Sequence, residues 1–211
     1  MTTMERRVRI IRDSDAESPR EWDNVGTMVC WHRRYNLGDV QEKGDPNNWR
    51  RELAEELVGG FKIDVDDIPV ENIDAALDKH VCVMLPLYLY DHSGITMSVG
   101  GFSCPWDSGQ VGWIYCTWER ARKEWNGTDE DIQGFCEIVL RNEVKVYDHY
   151  LTGEVYGYVV EEREEPCECC QHEAEWDQVD SCWGFYGDDY RTNGIKECLA
   201  PSDIDLIVEE D

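Results

Sequence analysis

The chain has 211 residues, and 46 Asp and Glu against 20 Lys and Arg give it a formal charge of −26 at neutral pH. A surface this anionic is repelled by nucleic-acid phosphates and anionic lipid headgroups, and is drawn to proteins that carry a basic groove of their own. Disorder is excluded too, because 41% hydrophobic content with nine Trp and ten Tyr supplies far more buriable surface than a solvating acidic segment has.

In chain order, Val8 and Ile10 and then Met28–His32 read as short strands separated by the turn-rich stretch 13–20. The first helix is predicted over Asn47–Val58: Asp45 is placed to cap it, Pro46 suits its first turn, Trp49, Leu53 and Leu57 recur at helical spacing, and Gly59-Gly60 stops it. A second helix is expected over Val70–Lys79, followed by strands at Val81–Tyr90, Ile95–Val99 and Val111–Cys116. Thr117–Trp125 reads as a helix ended by Asn126-Gly127. Thr128 with Asp131 three residues on starts another, whose apolar stripe is Ile132, Phe135, Cys136, Val139 and Leu140. Val144–Leu151 and Glu154–Val160 read as a hairpin turning at Thr152-Gly153, and Ser181–Tyr186 as a last strand. The expectation is one α+β domain over 1–211, a mainly antiparallel sheet with about four short helices, with 161–180 an acidic Cys-rich loop and 201–211 an acidic tail.

The charge is uneven: residues 1–50 are neutral, whereas the last 61 residues hold 18 acids and three bases. The densest acidic strip is Glu161, Glu162, Glu164, Glu165, Glu168, Glu173, Glu175, Asp177 and Asp180, and a second contains Asp64, Asp66, Asp67, Glu71 and Asp74. Carboxylates spaced on a rigid scaffold imitate duplex DNA, which presents one charge per ~1.7 Å of axis, and Trp and Tyr are the anchors that interfaces prefer. The dense basic cluster Arg6, Arg7, Arg9 and Arg12 is expected to pair with the chain's own carboxylates.

Two constellations offer other chemistry. His92, Cys104 and Asp107 lie in Gly- and Ser-rich turns, and if those turns meet at one sheet edge the three supply a thiol, a base and an orienter for a small thiol- or metal-assisted hydrolase or a nucleotide-modifying enzyme. The alternative reading is that they shape tight turns. Cys167, Cys169, Cys170, His172 and Cys182 are soft ligands for a structural zinc in a zinc-stabilised binding module, although Cys-x-Cys-Cys departs from the usual knuckle spacing and no cofactor is the primary expectation. Nucleotide-binding glycine signatures are absent. No apolar run approaches the ~20 residues of a membrane-spanning helix, and Met4–Arg12 is not a secretory segment, so a cytoplasmic location with reduced cysteines is expected.

Four runs, 18–24 (Ser-Pro-Arg-Glu-Trp-Asp-Asn), 32–39 (His-Arg-Arg-Tyr-Asn-Leu-Gly-Asp), Phe102–Tyr115 and 180–187 (Asp-Ser-Cys-Trp-Gly-Phe-Tyr-Gly), resemble those of small acidic proteins encoded by bacteriophages and other mobile elements. The resemblance spans about a quarter of the chain and assigns no catalytic residue. It implies an accessory protein acting in a bacterial host cytoplasm and, by analogy with DNA-mimicking antirestriction and anti-CRISPR inhibitors, a basic host partner such as a nucleic-acid-binding nuclease or defence complex, with no direct contact to nucleic acid or membrane.

Overall fold

The structure is a computed structural model and describes residues 4–60, 67–164 and 175–208. The fold is α+β, with five helices and two mixed sheets of mostly antiparallel strands among the described residues. The residues cluster into two compact units, one formed by Met1–Ser18 with His149–Asp211 and the other by Pro19–Asp148.

The larger unit holds a five-stranded sheet. Its strands are β2 (Thr27–Cys30), β3 (Val40–Gln41), β4 (Val81–Asp91), β5 (Ile95–Ser98) and β6 (Ser108–Thr117), in the order β3-β2-β6-β4-β5. Pro86 sits in β4 beyond the β5 pairing, where the strand has a partner on one side only and a residue without an N–H is tolerated. Gly112 is required where β2 and β6 approach, since a Cβ there would lie 2.1 Å from the Val29 carbonyl oxygen. Alternation along β6 sorts the layers. Ile114 and Cys116 point to one side, and Trp113 and Tyr115 to the other.

On the Trp113 side lie helices α1 (Pro46–Val58) and α2 (Val70–His80), joined by a core of Leu53, Ala54, Ile68, Ile73, Ala76 and Leu77. The expected signals operate at α1: the Asp45 carboxylate accepts from the Asn47 N–H, Pro46 opens the helix, and Gly59 ends it with φ +76°. Helix α3 (Trp118–Glu124) is capped by Thr117. On the opposite side of the sheet runs α4 (Asp129–Thr152), which begins with a reciprocal cap between Thr128 and Asp131. The hairpin expected at Val144–Leu151 is replaced by the continuation of this helix. Cys136, Leu140, Val144 and Tyr147 form one buried stripe at spacings of four, four and three, and the strand reading of Val144 onward breaks that period. Gly153, at φ +72°, is the helix stop.

One buried cation ties this unit together. The Arg20 side chain is 5% exposed; its guanidinium donates two bonds to Asp39 (2.8 and 2.6 Å), one to Glu143 of α4 (2.9 Å) and one to the Gly26 carbonyl (2.7 Å). Asp39 also accepts from the Met28 N–H, and Glu143 from the N–H groups of Val25 and Gly26. Every member of the network is thus supplied with partners, the condition under which a buried charge is tolerated.

The smaller unit is a four-stranded sheet, β8-β7-β1-β9, made of β1 (Met4–Arg12), β7 (Val155–Glu164), β8 (Asp177–Tyr186) and β9 (Ile207–Val208), with β9 parallel to β1. One face, carrying Val8, Ile10, Tyr156, Tyr158 and Val160, is covered by the segment holding α5 (Ile195–Cys198), Leu199, Ile204 and Leu206. Two expectations are corrected here. The stretch 161–180 is not a loop throughout, because Glu161–Glu164 complete β7 and Asp177–Asp180 begin β8; 201–211 is not simply an acidic tail, because Ile207 and Val208 pair with Val8 and Arg9 and the isoleucine packs on the core. Charge outweighed apolar periodicity in both readings.

Arg20→Met removes the cation and leaves Asp39 and Glu143 confined without it, so a loss of about 3–5 kcal/mol is expected from breaking a buried network on one side. Chemical denaturation followed by near-ultraviolet dichroism measures it, and a loss under about 1 kcal/mol is the surface-pair result that contradicts the network's role.

Candidate functional site

The sequence directs attention to two places, one in each unit. In the smaller unit, β1 and β7 pair so that Arg6 lies opposite Glu162 and Arg7 opposite Glu161. Glu161, 8% exposed, accepts from Arg7 (2.7 Å) and Arg9 (3.0 Å); Arg6 pairs with Glu162 and, through two bonds of 2.8 and 2.7 Å, with buried Asp203. The Trp176 ring lies under the guanidinium groups of both Arg7 (4.1 Å) and Arg163 (4.4 Å). The pairing expected of the basic cluster is therefore observed for Arg6, Arg7 and Arg9, and it engages two members of the acidic strip, Glu161 and Glu162, inside the unit.

The remaining described members of that strip, Glu164, Glu175, Asp177 and Asp180, are exposed and have no ion-pair partner among the described residues. Glu165, Glu168 and Glu173 lie outside the described residues, as do Asp64 and Asp66 of the second strip; Asp67 and Glu71 are exposed, and Asp74 pairs with Arg50 at 3.0 Å. A β-bulge sets the geometry. Asp177 pairs with Glu162 and Asp180 with Val160, so Val179 is the extra residue and the two aspartates, three apart in sequence, share one face of the sheet. Two strand steps separate them, about 7 Å. Trp183, half exposed on the same strand, overlies Gly157, where a Cβ would come within 2.3 Å of the indole.

Two buried carboxylates of this unit, Glu161 and Asp203, are held below their ordinary values despite burial. Burial pushes the Glu161 carboxyl up, but the bonds and charges of Arg7 and Arg9 outweigh it and hold the group below the ordinary glutamate value. Hydrogen bonding to Arg6 does the same for Asp203.

In the larger unit the turns carrying His92, Cys104 and Asp107 do meet. The Asp91 N–H donates to the Asp107 carbonyl, the His92 Nδ1 lies 3.3 Å from an Asp107 carboxylate oxygen, and the Cys104 thiol donates to that same oxygen at 3.6 Å. The carboxylate stands in the centre. An activated thiol of the thiol–imidazole kind has the ring in the centre, between nucleophile and orienter, and that order is not the one observed. His92 Nδ1 contacts the acid, and His92 is exposed.

Beside these turns is a cleft of about 790 Å³ lined by Trp31, His32, Arg33, Arg34, Glu42, Lys43, Gln110 and Val111. A shallower hollow, of about 330 Å³, shares His32, Arg34 and Val111 with it and reaches Asp107 and Trp106, which is 92% exposed. The one mark of this cleft in the sequence is the mixture of aromatic and basic residues from Trp31 to Tyr35.

The soft-ligand set Cys167, Cys169, Cys170 and His172 lies outside the described residues, and Cys182 packs on the core of the smaller unit. Among the described residues no group of three or more His, Cys, Asp or Glu side chains is arranged to hold a metal ion, and no helix is long and apolar enough to cross a membrane. No family model, no curated protein and no solved structure matches this chain.

Two outcomes are expected. Because Glu161 and Asp203 are held below their ordinary values, their stabilisation is fully present above pH 4.5 and is lost as pH falls through the lowered folded values; denaturation midpoints measured from pH 6 to pH 3 should fall less steeply for Glu161→Gln, which should also cost about 1–2 kcal/mol at pH 6. Iodoacetamide labelling of Cys104, followed by mass spectrometry, should stay within about two-fold on His92→Ala, whereas a slowing beyond about ten-fold would make the imidazole the thiol's base.

Proposed function

We propose that this protein is a non-enzymatic inhibitor that presents an acidic, DNA-mimicking surface to a basic, nucleic-acid-binding protein, of the kind found in restriction or CRISPR nucleases of a bacterial host cell. The observation that carries the reading is the bulged edge strand β8, which aligns Asp177 and Asp180 on one face without cation partners among the described residues. Glu164 and Glu175, both exposed, add to that charge.

Charge distribution supports the same reading. The smaller unit holds fewer than half the residues but 22 of the 46 acids, against 7 of the 20 bases. Three of those bases, Arg6, Arg7 and Arg9, pair with Glu161, Glu162 and Asp203, whereas Glu164, Glu175, Asp177 and Asp180 have no cation partner among the described residues. β8 is also an edge strand, and its acids repel a second copy of themselves while attracting a basic groove. A partner bound in this way associates quickly and is released by salt.

The test is competition. Labelled duplex DNA bound to purified restriction and CRISPR nucleases is titrated with this protein, and fluorescence anisotropy reports release. Displacement is expected at ~50 mM salt and should be largely lost by ~500 mM, where the Debye length falls below ~5 Å. Asp177→Asn with Asp180→Asn should weaken it about ten-fold or more with the melting temperature unchanged, each close charge contributing at least ~1 kcal/mol. Absence of displacement at the lower salt across the panel, or displacement indifferent to the double variant, overturns the proposal.

A further inference from the structure

We infer that the cleft of the larger unit is a binding site for a nucleoside phosphate, an assignment that uses none of the acidic surface of the smaller unit. Its volume, about 790 Å³, lies within the ~300–1,000 Å³ typical of small-molecule pockets. Four features of its lining define the ligand.

The first is charge. In a chain where acids outnumber bases by more than two to one, most cations find carboxylates, and Arg34 is bonded to Asp91. Arg33 and Lys43 have no ion-pair partner among the described residues, and both line the cleft. Two unneutralised cations on one concave surface of a strongly anionic protein are a site for an anion, and a phosphate accepts charge-assisted bonds from both.

The second is a pair of fixed N–H donors. His32 Nδ1 accepts from the backbone N–H of Arg34 (3.3 Å) and of Tyr35 (3.1 Å), which puts the ring proton on Nε2. Burial lowers its pKa more than nearby Asp91 raises it, so the ring is neutral at pH 7 and presents a single N–H. The Trp31 indole N–H is buried with no hydrogen-bond partner among the described residues. A buried donor left unsatisfied costs ~1–3 kcal/mol, and a ligand acceptor removes that cost.

The third is an aromatic floor. Trp31 packs edge-on against Trp49 (5.4 Å) and Trp113 (5.6 Å), and those two stack on each other (5.6 Å), so the wall is rigid and apolar where a planar ring would lie. The fourth is a pair of polar groups at the wall, the Glu42 carboxylate and the Gln110 amide, that suit the amino and carbonyl edges of a base. A bare phosphate would leave the floor and these groups unused. An uncharged nucleoside would leave Arg33 and Lys43 unneutralised.

The full-length protein is titrated by calorimetry with AMP, GMP, CMP, UMP, adenosine and inorganic phosphate. At least one monophosphate is expected to bind with a dissociation constant below ~1 mM and about ten-fold or more tighter than phosphate or adenosine. Arg33→Ala with Lys43→Ala should weaken that binding at least ~10-fold at an unchanged melting temperature, and Trp31→Phe, which keeps an aromatic ring but deletes the indole N–H, should weaken it about five-fold. No binding by any of the four monophosphates, phosphate binding as tight as theirs, or affinity indifferent to the Arg33/Lys43 variant overturns the assignment.

Discussion

The larger unit depends on a single buried guanidinium. Arg20 stands where three separate parts of the chain converge: the loop that ends in Asp39, the approach to β2 at Gly26, and the middle of α4 at Glu143. Hydrophobic packing presses α4 against the sheet but is non-directional and leaves sliding cheap, whereas five donors in a rigid fork permit one arrangement. The same residue joins two of the runs that stood out in the sequence, since Arg20 belongs to 18–24 and Asp39 to 32–39. Arg20 is charged at any accessible pH, its carboxylate partners raising its pKa against the opposing effect of burial.

Anchoring Asp39 also shapes the cleft. The loop between β2 and β3 is pinned at its end by Asp39, in its middle by the Gln41 side chain, which accepts from the Leu37 N–H and donates to the His32 carbonyl, and by Tyr147 of α4, whose hydroxyl accepts from the Gly38 N–H. Held on three sides, the loop fixes the His32 ring against Tyr35, with centroids 4.9 Å apart and planes within 10°. Structural charge and candidate ligand-binding charge are therefore segregated along one short segment: Asp39 turns inward, Arg34 is neutralised by Asp91, and Arg33 has no ion-pair partner among the described residues.

The smaller unit applies the same economy of charge with the opposite result. Its bases face its own acids across neighbouring strands, as the pairing of Arg6 with Glu162 and of Arg7 with Glu161 shows, and its edge strand β8 carries Asp177 and Asp180 without a cation partner among the described residues. A strand of net negative charge at a sheet edge resists self-association. The bulge at Val179 adds to that protection by breaking the ladder, and it converts an ordinary alternation into two carboxylates on one side.

Most of the elements were legible in the sequence because their determinants are local. Asp45-Pro46 and Gly59 bracket α1, Thr128 with Asp131 opens α4, and continuous apolar runs mark β4 and β6; each acts over a few residues and needs no partner from elsewhere. Where local signals conflicted, tertiary contact decided. Val144–Leu151 is rich enough in Val and Tyr to suit a strand, yet it is helix because the stripe from Cys136 to Tyr147 buries continuously against the sheet. The meeting of His92, Cys104 and Asp107 was anticipated from turn composition, but their order, with the carboxylate between thiol and imidazole, depends on strand register that no spacing encodes. Cys82, Cys116 and Cys136 bring three buried thiols together from β4, β6 and α4, and nothing in their spacing announces it. Composition and charge, which are sums over residues, were determined by the sequence alone; which carboxylates are spent on internal arginines, and which cations remain free in a cleft, was decided by the tertiary structure, because pairing is a property of distance in space.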